Sequence, residues 1–179
     1  MAGRCIENVH ERSLDVAPAA VGTLVDSLSS RDDRLWPNRR WPAMRLDRGL
    51  EIGSDGGHGP VRYEVARYEP NRLVAFAFTA RFPIDGEHRV EVLPASGGRT
   101  LLRHTLEGQP HGWLRLGWPL CFRWLHDALI EDAFDRAAAE LAGVPWTPRR
   151  LSPPVRLLRR VAGSYRNCRK TKWRMPPLR

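Results

Sequence analysis

Imidazole is the side chain in this sequence best suited to acid–base or ligand-orienting chemistry near neutral pH. Six histidines are present, and four stand where a site could form. His88 alternates with Val90 and Val92, and His104 with Leu102 and Leu106. On a strand, each set shares one face. His126 shares a helix face with Ile130 and Ala133, and His58 lies among Gly53, Gly56, Gly57 and Gly59. A neutral imidazole facing a cavity offers a ligand one donor or one acceptor. Three that converged could move a proton or bind a metal. Taken singly, each reads as a buried ring satisfied by a neighbour. No H-x-x-x-H or H-E-x-x-H spacing occurs, so neither a metal nor a cofactor is expected. The glycines around His58 favour a turn needing positive φ, pinned by the imidazole; the alternative is a lid with His58 on the ligand.

Other reactive types give less. Cys5, Cys121 and Cys168 are far apart and odd in number, which fits isolated thiols of a reducing compartment. The cytoplasm is therefore the expected location. No serine or cysteine has a visible base. Arg123 and Asp127 stand four apart, the spacing of an intrahelical ion pair; Arg123 also lies near the apolar face, within reach of a ligand carboxylate. Trp36, Trp41, Trp113 and Trp118 could ring a pocket entrance or cap a core.

The elements that must carry these residues follow from periodicity. Residues 7–16 alternate and predict a strand. Pro18 suits the first turn of a helix, continued by Val21, Leu24, Val25 and Leu28. Met44–Asp47 predicts a short strand, and the glycines from 53 to 59 a special loop. Four strand-like runs follow. Val61, Tyr63 and Val65 share a face of the first, Val74, Phe76 and Phe78 of the second; the third and fourth carry His88 and His104. Close-spaced turns between them predict antiparallel hairpins. From about Trp118 to Leu141 the period becomes 3.6, with His126, Ile130, Ala133, Phe134, Ala137 and Leu141 on one side and Glu131, Asp132 and Asp135 on the other. Gly143 and Pro145 then stop the helix.

Charge divides the chain. The 179 residues carry a net +9, but residues 144–179 hold 11 of the Lys and Arg and no Asp or Glu, leaving the rest at −2. Two parts are expected: a domain over 1–143 and a basic tail over 144–179. The tail reads as a solvated, flexible extension. The alternative is weak contact with anionic lipid or nucleic acid, through a short basic helix after Pro154 and the run Asn167–Arg174.

This order of elements resembles the helix-grip superfamily, which includes START domains, birch-pollen-allergen-like proteins and polyketide cyclase/dehydrases. Three stretches carry the likeness: Leu14-Asp15-Val16-Ala17-Pro18-Ala19-Ala20-Val21, Gly56-Gly57-His58-Gly59-Pro60-Val61-Arg62-Tyr63 and His126-Asp127-Ala128-Leu129-Ile130-Glu131-Asp132-Ala133. The last two are similar to an uncharacterised bacterial subgroup. The resemblance covers residues 7 to 143. It implies an α+β fold with a curved antiparallel sheet wrapped around a long C-terminal helix. It also implies a cavity for a hydrophobic small molecule, bound, carried or sensed; a cyclase or dehydratase using cavity histidines is the alternative. The residues expected to touch the ligand are His58, Tyr63, Phe76, Phe78, His88, His104, Arg123, His126, Ile130 and Phe134.

Overall fold

The computed structural model describes residues 5–161. β1 (Ile6–Leu14) leads into α1 (Pro18–Asp26), and an irregular stretch leads to β2 (Arg45–Leu46). Then come β3 (Asp55–His58), β4 (Val61–Glu69), β5 (Leu73–Phe78), β6 (Ile84–Pro94) and β7 (Thr100–Pro110). The strands form one antiparallel sheet in the order β1-β7-β6-β5-β4-β3-β2. Consecutive strands are neighbours except β1, which closes the far edge against β7. Behind the sheet runs a helical rod: α2 (Leu114–Gly117), a π-helical turn (Trp118–Phe122) holding Pro119, and α3 (Arg123–Leu141). Residues 153–161 form a further helix, α4.

Two sequence expectations need correction. The glycine stretch is not all loop, since Asp55–His58 is a strand. Its glycines are steric: a Cβ on Gly56 would lie 2.0 Å from the Arg45 carbonyl oxygen, and Gly57 has φ +146° with Val61 as close. Only glycine lets β2, β3 and β4 approach there. Nor does packing end at residue 144. Val155 of α4 is buried in the main core and Leu151 packs beside it. The Arg149 guanidinium pairs with Asp135 at 2.6 Å, and that of Arg159 lies 4.7 Å from the Trp41 ring centre. The run Asn167–Arg174 and Cys168 lie outside the described residues.

The core forms two apolar clusters. The larger gathers α1, α3 and the inner faces of β4–β7 around Tyr63, Phe76 and Phe134. The smaller, with Phe82, Ile84, Leu106, Leu114 and Trp118, closes one end. β1 alternates too, with Ile6 and Leu14 packed into the core at the ends of its inward face, but the middle of that face is polar. Val9 is 45% exposed, while Asn8, His10 and Arg12 turn inward to the helix.

The polar face of α3 is therefore a docked one. Asn8 donates to Asp127 at 2.9 Å, His10 meets Glu131 at 2.8 Å, and Arg12 donates to Glu131 and Asp135 at 2.9 and 2.7 Å. Asp132 is buried and accepts from Arg40 at 3.0 Å and from the Trp41 indole at 2.7 Å. Among the described residues, no helix is long and apolar enough to cross a membrane.

Candidate functional site: a histidine-walled apolar cavity

Curvature keeps the sheet from closing on the rod, and a cavity of about 700 Å³ remains between them. That suits a drug-sized molecule. The sheet contributes Phe78, Ile84, His88, His104 and Leu106, and the rod Trp118, Phe122, His126, Leu129 and Ile130. His58–Val61 and Trp36–Pro42 complete the near wall with Leu151 and α4.

The stretch before β2 is irregular but firmly held. The Asp33 carboxylate accepts from the backbone N–H groups of Ser29, Leu35 and Trp36. The Arg136 guanidinium donates to the Asp33 and Trp36 carbonyls, and the Trp36 indole donates to the Pro42 carbonyl at 2.8 Å. These bonds fix both tryptophans where they face the cavity.

Register brings the histidines together. His88 stands beside Leu106, and His104 lies between His10 and Val90. The His104 Nε2 and His88 Nδ1 atoms are 3.4 Å apart. The His104 and His126 ring centres are 5.0 Å apart, and His10 lies 5.9 Å beyond. At the other end His88 packs edge-on to Tyr63, whose hydroxyl shares a 3.0 Å hydrogen bond with His58 Nδ1. Five of the six histidines thus join one aromatic chain across the interior. His111 stands apart, half exposed, 3.7 Å from Asp85.

Burial divides them electrically. It pushes His58 down to about 3 and His88 and His104 well below the ordinary imidazole value. It lowers His126 too, with Asp127 working the other way; their 3.8 Å separation is too long for a hydrogen bond. All four rings are neutral at pH 7. His10 behaves oppositely: burial disfavours its charge, but hydrogen bonds to Asp127 and Glu131 outweigh that and raise it. Asp127 is held well below the usual carboxylate range, because the bonds from His10 and Asn8 outweigh its own burial.

His88 Nε2, His104 Nδ1 and His126 Nδ1 are buried with no hydrogen-bond partner. The first two form a complementary set. Whichever ring donates across the 3.4 Å contact, the pair leaves one N–H and one lone pair unmatched. Buried polar atoms in that state are uncommon and mark a place where a further group fits. The convergent metal-type donors are those of His10, His126 and Asp127, within 4.8 Å of one another. In that set His10 carries a carboxylate on each ring nitrogen, the surroundings of an imidazolium ion.

Of the residues expected at the ligand, His58, Phe78, His88, His104, His126 and Ile130 line the cavity. Tyr63, Phe76 and Phe134 instead pack fully in the core behind it. Arg123 is corrected outright. Its side chain is 63% exposed and sits 3.7 Å from Asp127, the ion pair its spacing predicts. Trp36, Trp41 and Trp118 are on the wall, whereas Trp113 is exposed, meeting Phe82 edge-on and Phe122 at a tilt. Sequence reading missed His10, hidden in a strand whose apolar residue faces out, and the arginines of the rim, which come from segments over a hundred residues apart. Cys121 also lines the cavity, with its thiol pushed up by burial.

No protein-family model matches the sequence, and no curated protein matches it. Solved structures do. CalU16 from Micromonospora echinospora has a TM-score of 0.55 at 16% identity, covering 93% of each chain. A protein from Thermobifida fusca has 0.58 at 13%, covering 80% of this chain and 98% of that one. Norcoclaurine synthase from Thalictrum flavum has 0.58 at 12%, covering 78% and 98%. At such identities the likeness is one of architecture, and the architecture, a curved seven-stranded antiparallel sheet gripping a 28-residue helical rod, is the helix-grip fold.

Proposed function

We propose that this protein binds a hydrophobic small molecule between sheet and rod. The observation that carries the reading is the cavity itself: about 700 Å³ with walls mainly of aromatic and aliphatic side chains. Close packing is the rule in protein interiors, so a hollow of this size between sheet and rod supports a binding role. A protein of the same fold, norcoclaurine synthase, is described in complex with a transition state analogue, so the architecture accommodates such guests.

Titration with the neutral dye N-phenyl-1-naphthylamine tests it. Saturable fluorescence enhancement at one dye per chain is expected. Leu129→Trp, which projects an indole into the cavity, is expected to weaken it at least tenfold while thermal unfolding stays cooperative. A wild-type protein with no saturable response would end the proposal.

A second reading has its own observation. Four neutral imidazoles line the cavity, and two carry a matched donor and acceptor in excess. That arrangement suits general acid–base catalysis of a cyclase or dehydratase type. His104→Gln would then abolish turnover of a polyketide-like substrate and leave dye binding within a fewfold of wild type. Equal turnover by the variant would exclude His104 from that role.

A further inference from the structure

The wall of the cavity carries a pronounced charge asymmetry. Among the described residues, its charged lining is Arg39, Arg40, Arg156, Arg159 and Arg160, with no Asp or Glu. Three of the five, Arg39, Arg156 and Arg160, are exposed, and the other two partly so. They therefore mark where the wall meets solvent. They come from two segments, the Trp36–Pro42 stretch and α4, which meet across Trp41. The Arg159 guanidinium lies over the Trp41 ring and donates to the Arg40 carbonyl oxygen. Asp132 lies behind this rim, committed to Arg40 and the Trp41 indole. The neutral histidines deeper in add no charge of either sign.

Resting on the reading of the cavity as a binding site, we infer that its ligand is an anionic amphiphile, with an apolar body among the tryptophans and phenylalanines and an acidic head at the arginine rim. Three arguments support this. Guanidinium groups bind carboxylate and phosphate oxygens by paired N–H donors. A low-dielectric wall strengthens attraction at its mouth relative to open solvent. The rim also needs α4, which supplies three of the five cations.

The test uses the full chain and displacement of N-phenyl-1-naphthylamine by three twelve-carbon compounds below their micellar concentrations: dodecanoate, dodecyl phosphate and dodecanol. The two anions are expected to displace dye at concentrations at least tenfold lower than the alcohol. The ratio should shrink on raising salt from 20 to 500 mM, as screening requires. Whichever anion is stronger identifies the head as carboxylate or phosphate. In Arg39→Gln/Arg156→Gln the anion-to-alcohol ratio should fall at least threefold. Dodecanol displacing dye as well as the anions do would overturn the inference and leave the cavity reading intact. Failure of the dye itself to bind would overturn both.

Discussion

At the scale of single residues, Asp132 is the polar group with the most riding on it. It is buried, and it joins α3 to the stretch that forms the near wall through Arg40 and Trp41. Removing one member of such a pair leaves the other charge buried and unmatched, a loss of about 3–5 kcal/mol. Asp132→Ala is therefore expected to destabilise the protein by about 3 kcal/mol in urea titration. The double variant with Arg40→Ala should lose less than the sum of the singles. His10 makes the opposite use of charge. Its two carboxylate partners favour the imidazolium, so its contribution is complete at low pH and disappears as pH rises past its raised value. The inward parity of His88 and His104 was legible, because each alternates with two apolar residues. That of His10 was not, because its inward neighbours Asn8 and Arg12 are polar while Val9 faces out.

Among elements, the rod and the first strand teach a lesson about amphipathicity. Helical periodicity separated Glu131, Asp132 and Asp135 from the apolar face, and a polar helix face ordinarily meets solvent. That inference holds when a helix has one partner and the partner is apolar. Here α3 has two: an apolar sheet centre, and an edge strand offering Asn8, His10 and Arg12. No single-element pattern contains that second partner. The polar seam is expected to couple measurably. A double-mutant cycle on Arg12→Ala and Asp135→Ala should give about 1 kcal/mol of interaction energy, decreasing with salt because both groups keep some solvent contact. Strand and helix identities came through well, since alternation and the 3.6 period are local. The placement of α4 did not, because one buried valine among prolines and arginines leaves no periodic trace.

The molecule as a whole should be acid-sensitive. His58, His88, His104 and His126 are all held below 6.5, His58 at about 3. Between those values the unfolded chain takes up protons that the folded one refuses, so stability falls as pH falls below 6.5. Each such ring costs up to about 1.4 kcal/mol per pH unit. Urea midpoints should drop steeply from pH 7 to pH 5, and His88→Gln should flatten the slope by about one proton; a midpoint independent of pH would contradict the assignment of neutral rings.

The pairing of β1 with β7 has a bearing on how the chain is made. Ile6 pairs with Gly108 and Leu14 with Thr100, so β1 is made well before its neighbour exists. Contacts so distant in sequence form late. A waiting strand with greasy residues on its inward side would invite aggregation at the ribosome. This one confines Ile6 and Leu14 to the ends of that side and sets asparagine, histidine and arginine between them, and so stays more compatible with water until the grip can close.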